Sequence, residues 1–155
     1  MPGFSTQDAA RVVSAGYCTS SAMRSWAWTS TPVLIDAAEA DYPGPTWLVG
    51  DLAEMDLPEQ GIAEGFDAIV CGGNVMTFCA PSTRGLIIER MGAHLRSDGR
   101  LVVGFGAGRG YEFSDFFADV EQAGLTPDLL LSTWDLRPFT ENSDFLVAVL
   151  SRATS

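Results

Sequence analysis

The chain has 155 residues, 46% of them hydrophobic, which is enough for one domain with a single core and too few for two. Its formal net charge is -11, with 20 acidic residues against nine Lys and Arg. It therefore lacks the basic footprint that neutralises phosphates and is not expected to bind nucleic acid or an anionic membrane surface. Cys18, Cys71 and Cys79 have no metal-ligand spacing, no apolar run reaches the ~18 residues of a membrane span, and the start lacks a basic-then-apolar leader pattern. Reduced thiols, no metal and a cytoplasmic location are the expectation.

Residues 1–31 are rich in Ser, Thr and Ala, with Trp26 and Trp28 flanking Ala27, and sustain neither helical nor strand periodicity. They read as an atypical, disordered segment ahead of an α/β domain over 32–155. From Pro32 onward strand and helix signals alternate, which favours layered α/β architecture with a largely parallel sheet. Val33–Ala40 reads as a short helix, Thr46–Val49 as a strand ending at Gly50-Asp51, and Phe66–Cys71 as a strand ending at Gly72-Gly73-Asn74. Over Ser82–Leu95 the spacing of Ile87, Met91 and Leu95 predicts one apolar helical face, stopped by Asp98-Gly99. Arg100–Phe105 follows as a strand. Ser114 is the expected N-cap of a helix burying Phe116, Phe117, Val120 and Ala123, with Gly124 as its stop. Leu129–Trp134 and Phe145–Leu150 close the chain as an antiparallel pair. Their link, Trp134-Asp135-Leu-Arg137-Pro-Phe139, reads as a buried aromatic joint, the alternative being a wall of a substrate pocket.

Three pieces recur in a telling order: Gly50-Asp51-Leu52 after one strand, Phe66-Asp67-Ala-Ile-Val70 after the next turn, and His94-Leu95-Arg-Ser-Asp98-Gly99-Arg-Leu-Val-Val103. This series resembles successive motifs of the class I S-adenosylmethionine-dependent methyltransferases and covers about three-quarters of the chain. The resemblance implies a Rossmann-like, three-layer αβα fold whose last strand is antiparallel, incomplete here at its N-terminus. It also implies S-adenosylmethionine as cofactor and methyl transfer to a small molecule. In the family, an acid after the third strand lies beside the adenine amino group and the next backbone contacts the ring, roles that fall on Asp51 and Leu52. A carboxylate suits the first role because it accepts from an exocyclic amine. Gly72, Gly73, Asn74 and Val75 fall near the methionine part and the transferred methyl, since ligands collect at the carboxyl ends of strands in open α/β sheets. Taken singly, Asp51 reads equally as a turn cap and Asn74 as a turn residue. His94, the only histidine, reads as a helix residue, with general base as the alternative. No catalytic residue is identified.

Two other readings compete. Gly104-Phe-Gly106-Ala-Gly108-Arg-Gly110 follows a strand and precedes a helix, inviting an NAD(P)-binding oxidoreductase with Asp135 as ribose partner. Against it, Tyr111-Glu112-Phe113 intervene before the helix, where the fingerprint wants its last glycine in the opening turn. A non-catalytic interaction module predicts no cofactor site at all.

The family's glycine loop is missing. Arg11-Val-Val-Ser-Ala-Gly16-Tyr-Cys-Thr-Ser20 faintly echoes the first strand and turn, but Tyr17, Cys18 and Ser20 replace the small residues required. A neighbouring reading frame restores them. Joining the last base of each codon to the first two of the next forces Gly from Trp26-Ala27 and Asp from Trp28-Thr29. From Pro2 to Thr31 that frame can read RVLDAGCGTGRVGGLLHELGHEVLGVDLD, a strand, glycine loop, helix and second strand ending in an acid. The first 31 residues therefore read as out-of-frame translation, which would leave the third strand without neighbours. The gene's nucleotide sequence tests this: codons compatible with that string are expected, and incompatible ones would end the idea.

Overall fold

A computed structural model describes residues 13–18, 23–29, 46–61, 65–72 and 74–154. The expected helix Val33–Ala40, the family-implied position of Gly73, and most of the segment expected to be disordered lie outside these residues.

The described strands are β1 (Val13–Cys18), β2 (Met23–Thr29), β3 (Thr46–Val49), β4 (Phe66–Cys71), β5 (Leu95–Gly106), β6 (Leu125–Leu131) and β7 (Phe145–Arg152). They form one sheet in the order β3-β2-β1-β4-β5-β7-β6. β2 pairs in parallel with β3 and β4 with β5, while β7 runs against both β5 and β6. The antiparallel last strand is thus as expected. β1 adds a second reversal, running against both β2 and β4. Together these pairings point the carboxyl ends of β2, β3, β4, β5 and β6 to one edge. The mixed sheet is flanked by helices, a Rossmann-like α/β fold. Among the described residues, no helix is long and apolar enough to cross a membrane.

β3 does have a neighbour, contrary to expectation: Trp26 to Thr29 pair with Thr46 to Val49. A ladder is made by backbone N–H and C=O groups that every non-proline residue carries, so strands form here without the alternating pattern sought in the sequence.

The helices are α1 (Val75–Phe78), α2 (Arg84–Ala93) and α3 (Phe113–Gln122). Ile87, Ile88 and Met91 of α2 are buried, as the spacing predicts. The helix nevertheless ends at Ala93, and Leu95 starts β5 rather than closing the helical face. The parallel pairing of Leu95 with Phe66 claims it for the sheet. α3 begins at Phe113 with Glu112 as N-cap, so Ser114 lies inside its first turn. Ring packing sets that start, because Phe113 meets Phe105 edge to face at 5.3 Å while Phe116 meets it at 5.2 Å. Phe105 and Phe116 are fully buried, each burial being worth about 1.5–3 kcal/mol. Val103 to Gly106 are buried without alternation, as suits a strand covered on both faces.

Arg84, only 6% exposed, ties these parts together. Its Nη1 donates to the Gly110 carbonyl at 2.9 Å, its Nε to that of Cys79 at 3.2 Å and its Nη2 to that of Thr77 at 3.3 Å. Its guanidinium carbon sits 4.4 Å from the Tyr111 ring centroid, a cation–π contact. The Tyr111 hydroxyl donates to Asp119 Oδ2 at 2.5 Å. Burial first, then that bond, push the Tyr111 phenol above its ordinary range.

Candidate functional site

Asp51 follows β3 at the carboxyl edge and is exposed. Its Oδ1 accepts from Ala53 N–H at 2.9 Å, so it caps the 3₁₀ turn Leu52–Glu54. Turn cap and ligand contact are compatible, because a carboxylate has a second oxygen to accept with. Leu52 and Ala53 anchor this turn in the core. Cys79 is raised above its ordinary range by burial and by Asp51, with Arg84 opposing.

Gly72 directly follows β4, and Asn74 turns the chain into α1 with φ 61°, a left-handed conformation that Asn tolerates better than most residues. The Asn74 carbonyl accepts from Thr77 N–H at 2.9 Å and Thr77 Oγ1–H at 2.7 Å. Its side-chain Oδ1 accepts from Gly106 N–H at 2.7 Å, lashing the turn after β4 to the end of β5. That leaves the amide N–H groups of Asn74 as its donors toward a ligand. Val75 is buried, 5% exposed, and anchors α1 rather than facing solvent.

His94 is at the other end of the sheet. It follows α2, its carbonyl accepts from Phe66 N–H where β4 begins, and Leu95 starts β5 beside it. Its Nε2 accepts from Leu57 N–H at 3.1 Å and its Nδ1 lies 2.6 Å from the Arg90 carbonyl. Those partners require the proton on Nδ1. The ring is a structural clamp, remote from the carboxyl edge.

The Gly104–Gly110 run does not have the geometry of a dinucleotide loop. Gly104 and Gly106 belong to β5, Gly108 and Gly110 adopt positive φ in the turn beyond, and the Gly110 carbonyl is held by Arg84. Buried Tyr111 and then Glu112 precede the helix, placing negative charge where a pyrophosphate would dock. Asp135 is exposed beyond β6, its carboxyl held below the usual range first by a bond from Thr133 and also by Arg137, 3.5 Å away.

Trp134 was expected inside a strand and buried. β6 ends at Leu131, and Trp134 lies past it, 49% exposed. The joint itself is made by Phe139, which meets Phe113 edge to face at 5.6 Å. What draws Trp134 over the sheet is an absence of side chains. A Cβ added at Gly104 would lie 2.5 Å from the indole Cζ2 and one at Gly72 3.4 Å from it. Gly72 and Gly104 continue the parallel register of Cys71 with Val103. That cross-strand glycine pair was the signal available in the sequence, and it becomes visible only once the register is known.

The chain is similar to a TehB-like SAM-dependent methyltransferase from Corynebacterium glutamicum, 43% identical with a TM-score of 0.74 over 81% of this chain and 66% of that one. The chain therefore spans slightly less than two thirds of that protein's length. An S-adenosylmethionine-dependent methyltransferase from Clostridium acetobutylicum shares the fold at 10% identity and TM-score 0.73, over 83% and 75% of the two chains. The sugar N-methyltransferase KedS8 from Streptoalloteichus does so at 16% identity and TM-score 0.60, over 82% and 70%. No family model and no curated protein matches the chain.

Replacing Asn74 by Ala is expected to lower the unfolding free energy by about 1–3 kcal/mol, because the buried Gly106 N–H then lacks its acceptor. Asn74→Asp keeps the acceptor and should lose less. Urea unfolding checks both, and equal losses would show that the Oδ1 bond is not what matters.

Proposed function

Because the chain belongs to the class I S-adenosylmethionine-dependent methyltransferase family, we propose that the carboxyl edge of its sheet is a partial S-adenosylmethionine site. It serves methyl transfer to a small molecule in the cytoplasm, and the transfer is impaired in this chain. What supports the reading is that Asp51 follows β3 while Gly72 and Asn74 follow β4, two strands whose carboxyl ends lie at the same edge of the sheet.

The residues present fit part of the cofactor. Asp51 offers a carboxylate oxygen to an exocyclic amine, the Leu52 backbone stands beside it, and Gly72 is assigned to the methionine end by its place in the motif. Gly73 is assigned with them by its place in the motif. S-adenosylmethionine held by these residues would supply an electrophilic methyl group for transfer to the acceptor. The protein's contribution is alignment, since holding two reactants in line is worth several powers of ten in rate. Asn74 fixes the β4 turn against β5, and Arg84 fixes the loop ending at Gly110. No side chain at this edge is assigned as the base.

Impairment follows from the first 31 residues, which lack the Gly-x-Gly-x-Gly turn that lets backbone reach the cofactor's ribose and methionine. Titration calorimetry with S-adenosylmethionine is expected to give weak or undetectable binding, and a low-micromolar dissociation constant would overturn the impairment. In thermal-shift measurements any stabilisation should come from S-adenosylhomocysteine and not from NAD; stabilisation by NAD alone would overturn the cofactor assignment.

A further inference from the structure

We propose that Trp134 and Arg109 form an acceptor subsite for a flat, conjugated carboxylate, a proposal that rests on the carboxyl edge being the methyl-transfer site. Gly104 and Gly106 are two residues apart on β5 and share one face of the sheet. The indole of Trp134 rests where a Gly104 side chain would be. At Gly106 an added Cβ would lie 3.4 Å from Arg109 Nε and 3.5 Å from Asn74 Oδ1. An aromatic surface and a guanidinium thus stand on one face, separated by about 7 Å of strand, next to the turn assigned to the methyl group.

Charge bookkeeping singles out Arg109. The sequence contains no lysine, so all nine cations are arginines. Arg84 and Arg152 are spent on carbonyls, and Arg96, Arg100 and Arg137 pair with Asp67, Asp128 and Asp135. Arg90 is in the last turn of α2, next to His94 at the opposite edge. Among the described residues, Arg109 is the guanidinium at the carboxyl edge with neither a carboxylate nor a carbonyl partner, and it is exposed. A formal charge of -11 repels an anion from the molecule as a whole. A carboxylate ligand therefore needs a local cation, whereas a neutral or cationic ring would need only the half-exposed indole. An unpaired guanidinium beside an indole selects the carboxylate, which it binds through charge-assisted hydrogen bonds.

The probes are 4-hydroxybenzoate, its neutral amide and 4-hydroxybenzylamine, titrated into the full chain with ligand-observed NMR, with and without S-adenosylhomocysteine. The benzoate is expected to bind at least about tenfold more tightly than the other two. Arg109→Gln should erase that preference without weakening the amide. Trp134→Ala should weaken benzoate and amide alike, and Trp134→Phe should restore most of the affinity. Both sites are exposed, and circular dichroism checks that the variants fold. The subsite is overturned if the amine binds best, if Arg109→Gln leaves the preference intact, or if no probe binds saturably at millimolar concentration. Probe binding without cofactor keeps this outcome separate from failure of the cofactor reading, which the S-adenosylhomocysteine arm reports.

Discussion

The parallel register of β4 on β5, Cys71 opposite Val103, is the constraint on which the carboxyl edge depends. It sets Gly72 beside Gly104 and lets Asn74 reach the N–H of Gly106. It also opens the floor that Trp134 covers. A slip of one residue would turn every side chain of a strand to the opposite face. Such a slip is resisted by the burial of Ile69, Cys71, Leu101 and Val103, each 1% exposed or less. The site is therefore held by the same apolar packing that holds the sheet.

Arg84 supplies the second constraint. Its guanidinium is buried yet hydrogen-bonded to three carbonyls from α1, the segment after it and the glycine turn before α3. A buried cation is tolerated only with its donors satisfied, so these segments are fixed relative to one another wherever Arg84 is seated. Tyr111 covers it and hands the tie on to Asp119 in α3. The loop between β5 and α3 is in this way anchored at Gly110, and its other end by the bond from Ala107 N–H to the Asp144 carbonyl.

Much of this was legible in the sequence. Thr46–Val49 and Phe66–Cys71 are short apolar runs bounded by turn residues, and both are strands with the expected limits. Boundaries failed where tertiary pairing overrode local pattern: Leu95 continues the helical spacing of Ile87 and Met91 but pairs with Phe66 in the sheet. Ser114 is a better cap than Glu112 by preference, yet the helix starts two residues earlier, where Phe113 packs on Phe105. Arg84 carried no readable signal, since its partners are backbone carbonyls brought together by the fold, and the glycine pair under Trp134 becomes visible only once the β4–β5 register is known.

The first 31 residues lack the family's glycine loop, yet two strands of the sheet, β1 and β2, come from them. In the strand order β3-β2-β1-β4-β5-β7-β6, β1 runs antiparallel to both of its neighbours, β2 and β4. The edge assigned to the cofactor is therefore built chiefly from β3, β4 and β5. The most direct measurement is backbone-amide NMR of the full chain titrated with millimolar S-adenosylhomocysteine. Saturable shifts are expected at Asp51 to Ala53 and around Gly72 to Val75, with His94 and the far edge unmoved. Shifts confined to Gly104–Gly110, or none anywhere, would contradict the account.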